Sequence, residues 1–248
     1  MIIRKSAAEI EVMREAGRIT ARALRIVGES VRPGVTTRQL DRVAEEAIRE
    51  EGAVPAFLGY NGFPATICAS VNEQVVHGIP GDRVLGRGDI LSVDVGAIVD
   101  GYYGDSAFTF PVGEVGGEAV RLMDATREAL SAGVAQCVPG MRLSDIGDAV
   151  QRVAEGAGFS VVREYVGHGI GRAMHEEPQI ANFGPPGRGP VLKPGMVFAI
   201  EPMINAGAAA VRSLPDGWTV VTADRRPSAH FEHTVAVTET GPDVLTVE

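Results

Sequence analysis

Two aspartates, Asp94 and Asp105, stand in a stretch, Gly88 to Phe110, that is otherwise built largely from strand-forming residues. Ile90, Leu91, Val93, Val95, Ile98 and Val99 suit a pleated, half-buried surface, and Asp100-Gly101 between the two runs is a hairpin signal. A carboxylate among apolar neighbours is costly unless a cation or hydrogen bonds hold it. Two carboxylates on adjacent strands repel, so at neutral pH they need a shared proton or a metal ion. A metal becomes the better reading when further donors converge, and the sequence supplies candidates. Glu201 ends the apolar run from Met196 and precedes Pro202, and Glu232 sits at the start of the run that closes at Thr238. His168 lies in Val166-Gly-His-Gly-Ile-Gly-Arg172, where flanking glycines permit close backbone approach. His175 follows in His-Glu-Glu-Pro. Four carboxylates and one imidazole suit a pair of hard-to-borderline divalent ions. Two such ions share bridging carboxylates and acidify a water between them, which is the chemistry of metal-assisted amide hydrolysis.

Two other motif readings fail on their own terms. The position four after His175 is Gln179 and Pro178 would break a helix, so this is no zincin helix. Gly167-x-Gly169-x-Gly171 lacks the strand-helix unit and distal acid of a dinucleotide site.

The elements that must carry these residues are readable in order. Ser6 with Glu9 forms a capping box for a helix to about Glu29, with Ile10, Met13, Ala16, Ala23 and Val27 facing in. Pro33-Gly34 ends it. A second helix from Thr36 or Thr37 buries Leu40, Val43, Ala44, Ala47 and Ile48 and stops at Gly52. Residues 57–80 read as irregular, and the hairpin follows. A third helix covers 116–136, and a fourth covers about 144–155 with Ser144 as N-cap. A polar loop with Pro178, Pro185, Pro186 and Pro190 precedes strands at 196–200, 218–222, 231–238 and 245–247. A faint repeat runs through this order: Gly88-Asp-Ile-Leu-Ser-Val-Asp94 returns 107 residues later as Gly195-Met-Val-Phe-Ala-Ile-Glu201. Each copy follows two helices, so Glu201 takes in the second half the place that Asp94 takes in the first.

Composition bounds the rest. The 248 residues fit one large domain or two small ones, and 45% apolar content supports a real core. A net charge of −9 argues against nucleic acid or an anionic membrane surface as partner. Two cysteines, Cys68 and Cys137, make no disulfide framework. No apolar run reaches the about 20 residues of a membrane span, and the first residues lack a signal peptide's apolar core, so the cytoplasm is expected.

With these motifs in view, the sequence resembles the type I methionine aminopeptidases of the pita-bread metallopeptidase superfamily over nearly its whole length. The resemblance rests on Cys68-Ala-Ser-Val-Asn-Glu73 with His77-Gly-Ile-Pro80, the Asp94/Asp105 hairpin, Val166 to Arg172 with His175-Glu-Glu-Pro178, Glu201-Pro-Met203 and Phe231-Glu-His-Thr234. It implies an α+β pita-bread fold: two pseudo-twofold-related halves, about 1–112 and 113–248, with antiparallel sheet inside and helices outside, forming a single catalytic domain over 1–248. It implies that Asp94, Asp105, His168, Glu201 and Glu232 hold two divalent ions (Co²⁺, Mn²⁺, Fe²⁺ or Zn²⁺), with Asp105 and Glu232 bridging, Asp94 on one ion and His168 with Glu201 on the other. It assigns catalytic and substrate contacts to His77 and His175, proton transfer to Glu201, and a thioether-sized pocket to Tyr60, Phe63, Cys68 and Trp218. Asn72 and Ser228 match positions where some members hold a monovalent cation, Na⁺ or K⁺. Many members carry a histidine at the position of Asn61, a phenylalanine at Met174 and a cysteine at Phe57, so this pocket departs in shape. The implied activity is removal of the N-terminal methionine from nascent chains whose second residue is small. The implied setting is a monomer with the ribosome as a contact. The rival readings are an Xaa-Pro peptidase and an inactive pita-bread peptide-binding module.

Overall fold

The Ser6–Glu9 capping box forms: Ser6 Oγ accepts from Glu9 N–H, and the Glu9 carboxylate accepts from Ser6 N–H at 2.8 Å. From it helix α1, Ala7–Ser30, extends in the computed structural model, which describes residues 2–248. Helix α2, Thr37–Glu50, starts from a second box made by Thr36 and Gln39. Met13, Ala16, Ala23 and Val27 are buried on α1, and Leu40, Ala44, Ala47 and Ile48 on α2; Ile10 and Val43 sit at the edges of those stripes, half-buried. Helices α3, Gly117–Val134, and α4, Leu143–Gly156, form the second pair. Ser144 is not the cap of α4. Arg142 holds that position, its N–H bound to the Asp145 carboxylate at 2.7 Å, and Ser144 Oγ instead accepts from Arg188 N–H at 2.8 Å. With Asp145 supplying the capping acceptor, the serine is free to tie down the following loop.

The strands of the first half are β1 (Val54–Pro55), β2 (Ile67–Val71), β3 (Gln74–Val76), β4 (Ile90–Val99) and β5 (Tyr102–Pro111). Those of the second are β6 (Ser160–Val161), β7 (Gly167–Gly169), β8 (Glu176–Ile180), β9 (Val197–Ile200), β10 (Met203–Asn205), β11 (Val211–Ser213), β12 (Val220–Thr222), β13 (Ser228–His230), β14 (Glu232–Thr238) and β15 (Gly241–Val244). Nine of them make one curved antiparallel sheet in the order β1-β4-β5-β14-β9-β7-β8, with β2 also on β4 and β15 also on β14. The hairpin turn has Asp100 at φ 48° and Gly101 at φ 79°, the pair of positive angles a two-residue type I′ loop needs. Its register runs unbroken from Ile90↔Pro111 to Val99↔Tyr102. Helix α1 packs on β4 and β5, and α3 packs on β9 and β14. One apolar core lies under each helix pair: Val27, Leu40, Ile48 and Leu91 in the first, Leu122, Ile146, Phe198 and Val235 in the second. The architecture is the expected α+β fold, sheet inside and helices outside.

Three expectations need correction. The stretch 57–80 is not irregular throughout, since β2 and β3 lie in it. Every residue of β2 is buried, so it lacks the alternation that marks a half-exposed strand. Pro178 lies within strand β8 rather than in a loop, and β8 is the last strand on its path through the sheet, where a missing N–H is tolerated. The final strand is Gly241–Val244, pairing with β14, and not 245–247.

Candidate metal centre

Strand register gathers the acids. Asp94 lies opposite Ala107, and Ala107 lies opposite Glu232. Asp105, two residues from Ala107, shares that face. On the other side of β14, Thr234 pairs with Ala199 and Ala199 with His168, while Glu201 follows two residues after Ala199. Five donors from four strands and one strand end therefore meet on one face of one sheet. Thr234 clamps the join: its Oγ1 accepts from Asp105 N–H at 3.0 Å and donates to Asp105 O at 2.8 Å.

The resulting site is dense with ligand atoms. Asp105, His168 and Glu232 are buried, and each offers an atom within 4.8 Å of the other two. His168 Nε2 is 3.5 Å from Glu201 Oε1 and 3.9 Å from Asp105 Oδ2. His168 Nδ1 is bonded to Gly169 O at 2.9 Å, so it carries the proton and leaves the Nε2 lone pair facing the acids. Asp94 Oδ1, Asp105 Oδ1 and Glu232 Oε1 are buried with no hydrogen-bond partner. Orphaned carboxylate oxygens around a neutral imidazole fit divalent cations and are hard to satisfy otherwise.

Electrostatics agrees. Burial first, and then the neighbouring acids, push Asp94 and Glu232 well above the usual carboxylate range; burial with the Asp105 charge does the same to Glu201. Burial also raises Asp105, to about 7. Burial and the charge of His175 push His168 down to about 4, and the same pair of causes lowers His77 to about 4. The cluster left to itself would hold protons on its acids and none on its imidazoles, and cations reverse the first without disturbing the second.

A cavity of about 250 Å³ opens onto the cluster. Tyr60, Phe63, Cys68 and Trp218 line it together with His77 and His175, and so do Phe57, Asn61 and Met174, the three departures from the family pattern. Phe63 and Trp218 meet edge to face at 5.0 Å between centroids. The His175 ring lies 4.3 Å from the His168 ring between centroids, tilted by 53°, and its Nδ1 bonds the Tyr60 hydroxyl at 2.8 Å. The neighbouring Glu176 fastens the His175 turn through a buried ion pair with Lys5 at 2.6 Å and a bond from Arg172 N–H at 2.9 Å. His77 has φ 59°, left-handed backbone rare for a non-glycine residue, and its ring meets Tyr165 edge to face. Asn72 and Ser228 lie together but outside this lining. Ser228 N–H donates to Asn72 O at 2.9 Å, the Asn72 amide engages Asp89 and Ile90, and the Ser228 hydroxyl donates to Ile204 O. A larger apolar cavity of about 660 Å³, lined by Phe108, Phe231 and His233, borders none of the five donors.

The glycines beside His168 are required by close approach. A Cβ on Gly169 would stand 2.3 Å from Glu177 O, and one on Gly167 2.4 Å from Ala199 O. Gly169→Ala should cost about 1–3 kcal/mol through overpacking, read as a lowered denaturation midpoint.

One residue at the site escapes the sequence reading. His230 is 1% exposed, two residues before Glu232, with Nε2 3.8 Å from Glu201 Oε2 and 4.0 Å from Glu232 Oε2. The signal was the period-two alternation, which sends residues 230 and 232 to the same side.

Comparison with known proteins gives a consistent result. The model of metallopeptidase family M24 matches residues 11–239. The chain is 55% identical to methionine aminopeptidase 1 of Bacillus subtilis over 246 residues, 99% of each chain. It superposes on a methionine aminopeptidase from Thermotoga maritima with TM-score 0.99 at 46% identity, covering 100% of both chains. A prolidase from Pyrococcus furiosus is more distant, with TM-score 0.79 and 25% identity, and this chain covers 66% of its length.

Proposed function

The chain belongs to the methionine aminopeptidases of metallopeptidase family M24, and from that premise we propose how its own residues do the work. The observation that carries the reading is the single sheet face on which Asp94, Asp105, His168, Glu201 and Glu232 converge at the floor of the cavity. Asp94, Asp105, His168, Glu201 and Glu232 would hold two divalent ions, with Asp105 and Glu232 shared between them, Asp94 serving one, and His168 with Glu201 the other. When bound, the ions offset the acid cluster's charge, anchor a substrate's free amino terminus and acidify a water nucleophile. Glu201 would take up a proton from the water nucleophile and pass it to the departing amine. The Tyr60 hydroxyl donates to His175 Nδ1, which leaves the His175 proton on Nε2, the nitrogen that donates to the oxyanion of the tetrahedral intermediate. His77, fixed by its backbone and by Tyr165, contacts the scissile nitrogen or the next peptide unit. The methionine side chain lies between Tyr60, Phe63, Cys68 and Trp218. Any monovalent cation belongs near Asn72 and Ser228. The setting is a cytoplasmic monomer, the whole chain acting as one domain on nascent chains at the ribosome; no helix among the described residues is long and apolar enough to cross a membrane.

The test is substrate choice. Peptides beginning Met-Gly or Met-Ala are cut, and Leu- or Pro-containing analogues far more slowly, as followed by release of the first residue. Preferential release of Xaa from Xaa-Pro would move the chain to the prolidase-like peptidases. A second expectation isolates His175: His175→Ala lowers kcat about 10²–10³-fold, as loss of one oxyanion donor does elsewhere, with KM and metal content little changed.

A further inference from the structure

His230, the last residue of β13, is tied to the hairpin that carries two of the five donors. Its N–H donates to Thr109 Oγ1 at 2.9 Å, Thr109 Oγ1 donates back to His230 O at 2.8 Å, and Thr109 is itself bonded to Ser92 Oγ at 2.8 Å. Ser92 and Thr109 face each other across β4 and β5. So held, the imidazole presents Nε2 between Glu201 Oε2 and Glu232 Oε2, at 3.8 and 4.0 Å, and that nitrogen is buried without a partner. Nothing among the described residues donates a hydrogen bond to either glutamate carboxylate. Carboxylates that ligate metals ordinarily take an outer hydrogen bond that fixes their orientation. A carboxylate rotation of under about 1 Å brings either oxygen within hydrogen-bond reach of Nε2.

We propose that His230 is a positioning residue of the metal centre: its Nε2–H donates to the outward oxygens of Glu201 and Glu232 and so aims both carboxylates at the ions. The proposal rests on the metal-centre reading above. It adds a contact outside the five-donor set, made by a side chain that touches neither substrate nor ion. Two consequences follow from the geometry. A side chain with an N–H at similar reach replaces it, and a side chain of similar bulk with no donor does not.

The experiment compares metal-free wild type, His230→Gln and His230→Leu, with His230→Met as a second donorless variant should the leucine protein not fold. Mn²⁺ is titrated by calorimetry, and Co²⁺ by its visible absorption, which reports the inner ligands directly. The expected result is a loss of about 10- to 100-fold in Mn²⁺ affinity for the donorless variant. The Gln variant recovers most of it and keeps the wild-type Co²⁺ band positions. Wild-type affinity in the donorless variant overturns the proposal. So does a Gln variant as weak as the donorless one with shifted Co²⁺ bands, which makes His230 an inner ligand. Failure of the wild type itself to bind either ion overturns the metal-centre reading, and is thereby distinguished from failure of the His230 assignment.

Discussion

Glu232→Gln should abolish release of methionine from a Met-Ala-Ser peptide, by about 1,000-fold or more, while the chain stays folded. Glu232 stands at the middle of the donor face, opposite Ala107 on β5 and within reach of both Asp105 and His168. Glutamine keeps the shape and loses the charge that would hold the cations. A polarising cation supplies several kcal/mol of transition-state stabilisation, and about 4 kcal/mol is roughly a 1,000-fold change in rate. The fold survives because the substitution removes one of four mutually repelling buried acids, each already pushed upward in pKa. The metal-free variant should therefore melt no lower than metal-free wild type above neutral pH. Turnover, metal content by elemental analysis and a melting curve decide it together: wild-type turnover sinks the assignment of Glu232, and a collapsed melt shows a structural role instead.

Without metal, the protein should lose stability as pH rises from about 7.5 to 8.5, the reverse of ordinary acid denaturation, because a raised folded-state pKa makes folding bind protons there. The unfolded acids titrate near 3.8 and 4.5, whereas folded Asp105 sits at about 7 and Asp94, Glu201 and Glu232 well above their ordinary values. Their contribution is full below the unfolded values and disappears as pH climbs through the folded ones. The buried histidines act oppositely: His77 and His168 at about 4 and His230 at about 3 contribute stability above their unfolded value of 6.5 that is lost on acidification. The two sets oppose each other from about pH 4.5 to about 7.5, where the unfolded imidazoles finish losing their protons; above that the histidines no longer change and the acids set the sign. One proton taken up on folding changes stability by about 1.4 kcal/mol per pH unit, or about 2–4 °C in melting temperature per kcal/mol for a chain of this size. Saturating Mn²⁺ should flatten or invert the profile and release protons on binding. A metal-free melting temperature that climbs over this interval would refute the expectation.

Much of this centre is legible in the sequence. Asp94 and Asp105 stood out because acids are conspicuous among strand formers, and the helix pairs were legible from their capping boxes and periodicity. What stayed hidden lacked a local signal. Strand β2 is covered on both faces and so shows no alternation. Ser144 looked like a cap, but Asp145 supplies the acceptor there. His230 lies beside a conspicuous acid, but a lone histidine means little until register shows what it faces. The contact between His175 and Tyr60 joins residues 115 apart, and no spacing rule reaches that far.

The join between β5 and β14 has a further consequence. Only Glu232↔Ala107 and His233↔Ser106 are paired across it, with Thr234 as an added clasp. Asp94 and Asp105 come from before that join in sequence, and His168, Glu201 and Glu232 from beyond it. Ions held by all five would rivet two lobes that are otherwise joined along that edge by these pairs and by the Ser106–Glu232 and Thr109–His230 bonds. Starving the enzyme of cations would then do more than silence it, since the amides of Ser106 and His233 become the first place where the sheet can unzip.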